Sequence, residues 1–300
     1  GKGSYYIPTR SMSEFMSLYT AAYKENVPLS ITEAHKTISP LTIDLDFRQE
    51  RPDRIYKLVD ITRIAKHIGL IIRDYISESD EETYDCYILE KPSPRLNKSD
   101  GYKDGVHLHF PNIVTIPALQ YAIRKRFLEE HSKLLELSGF TNNAANIYDE
   151  AVIEKNNWMM YGSCKPGCTS YNMHSVLQWK AAYESASLRS CMDEVDVTPE
   201  KLVNLLSIRN KHKETPIRDS MQSDVDAFSR AREHRMRMRE TVQSIVMQED
   251  DKRLNLVSDS ELSKVEQLVE MLSVTRADSY NEWIRVGWCL RNIDYRLLPK

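Results

Sequence analysis

The sequence predicts an α+β protein: a small mixed or antiparallel sheet flanked by helices, followed by an all-α region. Three observations carry this. Residues 41–47 and 106–110 alternate apolar and polar side chains, the period of a strand, whereas 55–76 and 116–138 repeat apolar residues at helical spacing. After about residue 195 no strand pattern remains and only helical periodicity is left. The nine glycines cannot be arranged as Gly-x-Gly-x-x-Gly, which excludes a Rossmann dinucleotide fold.

The elements follow in order. Met12, Phe15, Met16, Leu18 and Tyr19 mark a helix over 11–26. Leu41 to Phe47 is a strand, and Pro52 is placed to start a long helix running to about Ile76. Tyr84 to Leu89 is a second strand, 91–105 an exposed loop, and Val106 to Phe110 a third strand stopped by Pro111. A helix over 116–138 follows, then two short strands, Ile147-Tyr148 and Trp158 to Tyr161. Helices are expected from Thr198-Pro199-Glu200, over 221–247, 259–273 and 278–293. The run Arg230 to Arg239 holds five arginines in ten residues, a solvated helix face or a nucleic-acid contact. This divides the chain into a domain at 1–195, a helical extension or linker at 196–257 and a helical module beginning at 258–300. The end at Pro299-Lys300 reads as a piece cut from a longer protein.

With 300 residues, 41% apolar and 28% charged, the chain has ample material for a core and lacks the signature of disorder. The 41 Lys+Arg nearly balance 44 Asp+Glu, so a nucleic-acid surface must be a local patch. No apolar run approaches the roughly 20 residues that span a membrane, and the first residues lack the core of a signal peptide. Five cysteines at irregular spacing point to reduced thiols and an intracellular protein. Cys164, Cys168 and His174 could supply three zinc ligands, but no fourth lies nearby, so zinc is disfavoured.

Asp44 and Asp46, at i and i+2 of a strand, share one face while Ile43, Leu45 and Phe47 face the other. Two neighbouring carboxylates are tolerated in water or with a divalent cation between them. The same geometry pairs His107 with His109, whose face suits a metal, a phosphate or ordinary packing. Lys103 sits just upstream. Asp149 follows a short strand and could complete a carboxylate trio. Gly162 to Thr169 has the outline of a phosphate loop, but Cys168 stands where lysine is needed and the lysine is Lys165, so it reads as a basic, glycine-flanked turn.

In this order and spacing the residues resemble the archaeo-eukaryotic primase superfamily. Its Asp-x-Asp signature falls on Asp44 and Asp46, its Ser/Gly-x-His signature on Gly105 and His107, and its apolar-Asp signature on Tyr148-Asp149, trailed by Asn157, Trp158 and Lys165. Trp283 to Ile293 resembles the helical module that follows such catalytic domains, and the likeness is strongest to primase–helicases of large cytoplasmic DNA viruses of the poxvirus and asfarvirus type. The resemblance implies an RRM-like primase core and a nucleotidyltransferase that makes primers on single-stranded DNA from NTPs or dNTPs. It implies a two-metal Mg²⁺ or Mn²⁺ site at Asp44, Asp46 and Asp149, with His107 also catalytic. Nucleotide binding would fall to Lys103, Gly105, His107, Asn157 and Lys165. It further implies a superfamily 3 helicase in the same full-length chain and replication sites in the host-cell cytoplasm. One departure stands out: relatives of the cellular primase–polymerase type carry arginines around Asn156-Asn157 and Met159, and this chain has none there. Two other readings remain open. His107-Leu-His109 also fits the metal site of rolling-circle nucleases, with Tyr121 as nucleophile, and a catalytically silent DNA-binding or helicase-recruiting module is the other.

Overall fold

The protein is described by a computed structural model covering residues 3–77, 83–97, 101–180, 186–190, 198–209, 213–254, 257–273 and 280–297. It divides into two compact units, Gly1–Ser229 and Arg230–Lys300. The first contains α1 (Met12–Lys24), β1 (Thr32–Glu33), β2 (Ser39–Gln49), α2 (Leu58–Tyr75), β3 (Thr83–Glu90), β4 (Arg95–Asn97) and β5 (Gly101–Thr115). It continues with α3 (Pro117–His131), α4 (Ala144–Ile147), α5 (Ala151–Glu154), β6 (Trp158–Met159), β7 (Asn172–Lys180), β8 (Ala186–Ser190) and α6 (Pro199–Leu205). Helix α7 (Asp219–Leu254) begins in the first unit, and α8 (Asp259–Glu270) and α9 (Tyr280–Ile293) belong to the second.

The main sheet is antiparallel throughout, in the order β2-β5-β3-β7-β8, with β4 paired to the start of β5. Its two faces differ because the strand period of two sorts the side chains. Ile43, Leu45, Phe47, Cys86, Ile88, Val106, Leu108 and Phe110 are buried against Ile61, Ile64, Ile68 and Ile72 of α2 and Leu119, Ile123 and Phe127 of α3. On the opposite face Tyr87, Leu89 and Val176 pack with Leu202 and Leu206 at α6. Met16 and Tyr19 of α1 pack nearby with Met160 and Val203. Asp44 and Asp46 of β2 and His107 and His109 of β5 lie on this second face.

Several sequence expectations change in physical detail. Pro52 does not start α2, because the Gln49 amide donates to the carbonyls of Arg51 and Asp53 at 2.7 and 2.6 Å and holds a bend there. The helix begins only at Leu58, after the Asp60 carboxylate accepts from the Lys57 N–H at 2.9 Å. The 91–105 segment is not a loop throughout: β4 and the start of β5 pair as a hairpin. Pro111 does not stop β5. The ladder shifts register between Pro40 and Leu41, whose partners are Val114 and Phe110, so the bulge takes up the residue that cannot donate. Helix α3 ends at His131 and continues only as a 3-10 turn at Ser132–Leu134. Residues 144–147 form a helical turn capped by Asn143, whose side chain accepts from the Asn146 N–H, and Tyr148 makes only an isolated bridge to Leu45. The second strand is shorter than its pattern, covering Trp158 and Met159. Strands β7 and β8 were not expected. Asn172 to Gln178 shows no clean alternation, Met173 and Val176 packing on one face and Leu177 on the other, and its pairing with β3 comes from the sheet rather than from local pattern. No described helix is long and apolar enough to cross a membrane.

Leu108 is fully buried at the centre of the sheet. Leu108→Ala should therefore cost about 2–5 kcal/mol, seen as a lower urea midpoint at nearly unchanged slope. A loss below about 0.5 kcal/mol would contradict this placement of the core.

Candidate metal and anion site

β2 lies at the edge of the main sheet, and an open edge exposes unpaired backbone groups. Here the 140–149 segment covers it. Thr141 N–H donates to the Arg48 carbonyl at 2.8 Å, Arg48 N–H to the Asn142 side chain at 3.0 Å, and the Asn142 amide to the Asp46 carbonyl at 2.8 Å. Tyr148 bridges Leu45, and the Asp149 N–H donates to the Asp44 carbonyl at 3.0 Å. Arg124 clamps this segment from α3, donating to the carbonyls of Tyr148 and Ala145 at 2.9 and 2.7 Å. Asp149 is thereby docked beside the two aspartates of β2.

Asp44, Asp46 and Asp149 each present a carboxylate oxygen within 4.8 Å of the others, and theirs is the one such acidic, His or Cys cluster among the described residues. The β2–β5 register places Asp44 opposite His107, Asp46 opposite Gly105 and Arg48 opposite Lys103. Lys103 Nζ donates to Asp46 Oδ2 at 2.8 Å, and Lys91 Nζ lies 3.9 Å from Asp46 Oδ1. Asp44 has no ammonium of its own, and its buried Oδ1 lacks a hydrogen-bond partner. Burial, and then the charges of Asp46 and Asp149, push its pKa well above the usual carboxylate range against the opposing pull of Lys91 and Lys103. A hard divalent cation takes oxygen ligands and would relieve both the repulsion and the orphaned oxygen, so the donor set fits Mg²⁺ or Mn²⁺.

His107 is buried, and the Tyr171 ring stacks on it at 3.6 Å between centroids while Trp158 lies at 4.4 Å. Burial, followed by the charge of Lys91, the neighbouring His109 imidazole and the charge of Lys165, holds its pKa well below the ordinary value. The imidazole is therefore neutral, and its 3.7 Å approach to Asp44 Oδ1 is not an ion pair. Gly105 is small for a reason: a Cβ there would meet Tyr171 Oη at 2.7 Å and Lys91 Nζ at 3.0 Å. Gly162 starts the turn that carries Lys165 and Tyr171. Its φ is +85°, and a Cβ would strike the Tyr23 ring at 2.5 Å, so the turn is seated directly on α1.

The structure thus gathers Asp44, Asp46, Asp149, His107, Lys103 and Gly105. Lys165 is exposed, with its charge felt at His107. Asn157 is also exposed, and its amide donates to Thr32 Oγ1 at 3.3 Å across the small β1–β6 ladder. His109 is buried beside Trp158. Cys168 accepts from Arg95 at 2.5 Å, and Cys164, Cys168 and His174 are not gathered at ligand distance among the described residues. Tyr121, the nucleophile of the rolling-circle reading, is on α3, which packs on the sheet face opposite His107 and His109; its ring lies parallel to that of Phe228. Lys91 and Tyr171 were missed by sequence reasoning. The signal for Lys91 was its place one residue past the β3 strand, level with Gly105; Tyr171 carried none.

A raised folded-state pKa means that Asp44 favours folding while protonated, and this contribution is lost as pH rises from the unfolded value of about 4 through the folded one. Asp44→Asn should accordingly leave the metal-free protein as stable as the native one or more so near pH 8. It should also abolish the rise in Tm that Mn²⁺ gives the native protein, a rise expected to grow from pH 6 to pH 8. Thermal melts with and without Mn²⁺ measure both; an undiminished Mn²⁺ shift in Asp44→Asn would remove Asp44 from the ligand set.

Comparison with known proteins places this geometry. The family model described as the C962R protein N-terminal AEP domain matches residues 1–177. The chain is 30% identical to the mimivirus protein named "Putative helicase L207/L206" (Acanthamoeba polyphaga mimivirus), over 99% of its own length and 32% of that protein. It is 26% identical to "Putative helicase 184R" of Invertebrate iridescent virus 6, over 97% of its length and 32% of the relative. It is 23% identical to "Putative helicase 121R" of Invertebrate iridescent virus 3, over 98% and 33%. The chain therefore spans about a third of the length of these curated relatives. With that family model matching more than half of its length, the chain belongs to the archaeo-eukaryotic primase superfamily, among the AEP domains of the C962R type.

Proposed function

We propose that this domain is a DNA primase that joins nucleoside triphosphates on a single-stranded DNA template. The observation that carries the reading is the convergence of Asp44, Asp46 and Asp149 within 4.8 Å, flanked by two ammonium groups and a neutral imidazole. Phosphodiester synthesis needs a 3′-hydroxyl made nucleophilic and a pyrophosphate whose leaving charge is neutralised. Asp44, Asp46 and Asp149 would hold divalent ions there, and such ions would supply both.

The chain's own residues do the rest. Asp44 and Asp46 stand two apart on one paired strand, so their carboxylates are presented side by side to a cation. Asp149 is held from the β2 edge and by the Ala151 N–H, which donates to its Oδ1 at 2.9 Å and leaves the other oxygen for a ligand. Neutral His107 donates a ring N–H to the triphosphate, and Lys103 and Lys165 hold outer phosphates as point charges. Gly105 keeps the space beside them clear. Asn157 stands at the rim for contacts to the nucleotide. A single-stranded template would run in a basic groove with aromatic platforms. The relatives' names and their greater length support a helicase elsewhere in the full-length chain, and the superfamily 3 type is what the family resemblance implies.

The test is synthesis itself: protein, single-stranded DNA, Mn²⁺ and labelled NTPs or dNTPs, with labelled dinucleotide as the product. Asp44→Ala with Asp46→Ala should reduce synthesis to background, and native activity should fall steeply between 50 and 200 mM salt. Primers made by the double variant would overturn the assignment. A covalent adduct at Tyr121 would instead favour the nicking enzyme, and DNA binding without incorporation would favour the silent module.

A further inference from the structure

Lys91 has no place in the family's three signatures, yet the fold fixes it at the acidic cluster. Its N–H donates to the Gly105 carbonyl at 3.1 Å, and its own carbonyl accepts from the Arg54 guanidinium. Arg54 is anchored in turn by Asp104, which is fully buried, at 2.8 Å and by Glu90 at 2.9 Å. The backbone of residue 91 is thus tied both to the strand that carries His107 and to a buried charge network. Its ammonium is aimed at Asp46 Oδ1, 3.9 Å away, and passes 5.2 Å from the centre of the Tyr171 ring. Its positive charge is felt both by Asp44 and by His107. A lysine so placed lies beside the carboxylates and also against Gly105, where a Cβ would meet its Nζ at 3.0 Å, two residues along β5 from the His107 proposed to hold phosphate.

We propose that Lys91 is an exchange cation: it neutralises Asp46 while no divalent ion is bound, and serves the polyphosphate of the nucleotide once one is. The inference rests on the primase reading of the site and deepens it. The physical reason is charge balance. Three carboxylates with two nearby ammonium groups are tolerable without a metal; once divalent charge is added, the same ammonium groups are repelled from the ions and attracted to phosphate oxygens. Lys103, held in the β5 ladder and bonded to Asp46 at 2.8 Å, shares the first task; Lys91, with its backbone tied to Gly105 and Arg54 but its ammonium 3.9 Å from Asp46, is the less committed of the two and the one free to turn to phosphate. Lys91 is then a binding residue with two opposed effects, and that opposition is measurable.

The experiment uses the whole chain and compares native protein with Lys91→Met and Lys91→Arg. Methionine keeps an unbranched side chain of similar length while removing the charge. Mn²⁺ binding is titrated by electron paramagnetic resonance of the free ion, and inorganic pyrophosphate binding is titrated in saturating Mn²⁺. Removing one partly screened charge at this range should tighten Mn²⁺ binding about three- to tenfold and weaken pyrophosphate binding about tenfold. Lys91→Arg should stay within about twofold of native for Mn²⁺. A purely structural role moves both affinities the same way, so unchanged or weaker Mn²⁺ binding in a Lys91→Met protein that melts like native overturns the exchange role. If Lys91→Met melts well below native, an untouched fold with Lys91→Gln repeats the comparison under the same criterion. Native protein that binds no Mn²⁺ overturns both this role and the primase reading. Binding abolished by Asp44→Asn but indifferent to Lys91 overturns this role alone.

Discussion

The open edge of β2 is the constraint on which the site depends. A sheet edge in a folded protein must be covered, paired or charged, and here the 140–149 segment covers it with a run of hydrogen bonds from Thr141 to Asp149. The covering solves a backbone problem and, in doing so, carries a third carboxylate to the two already on the strand. Arg124 and the Asn143 cap hold that segment in shape from the other side. The aspartates are about a hundred residues apart in the chain and meet because an edge needed a partner.

The site is also held in electrostatic tension. Asp44 is only 16% exposed at its side chain, its Oδ1 is unpaired, and two further carboxylates face it. Lys91 and Lys103 offset part of that repulsion through Asp46, and the buried Arg54–Asp104–Glu90 network fixes the backbone from which Lys91 reaches. His107 stays neutral because burial and neighbouring cations both disfavour a second positive charge beside them. An arrangement of this kind is poised for cations and phosphates and is poorly satisfied without them.

Much of this was legible along the chain. The alternation around Asp44 and Asp46 and around His107 reads as two strands with polar positions on one face, and the burial of Ile43, Leu45, Val106 and Leu108 agrees. The long helix over 58–75 follows from its isoleucine stripe. The misreadings have local causes. Pro52 lost its role to the Gln49 amide, Pro111 was accommodated by a bulge, and the Ile147-Tyr148 pair became a capped turn because Asn143 offered an N-cap. β7 was hidden because a strand between two others takes its hydrogen bonds from them and needs little pattern of its own.

By itself the sequence determined which residue types stand two apart on a strand, and so which side chains share a face, because that period is a property of the extended backbone. It determined the amphipathic helices for the same reason, through the 3.6-residue turn. Only the tertiary structure decided that Asp149 meets Asp44, that Lys91 faces Asp46, and that Tyr171 stacks on His107. Those contacts join residues far apart in the chain, and they are set by edge pairing, the β2–β5 register and the seating of a turn on α1, none of which leaves a local periodic trace.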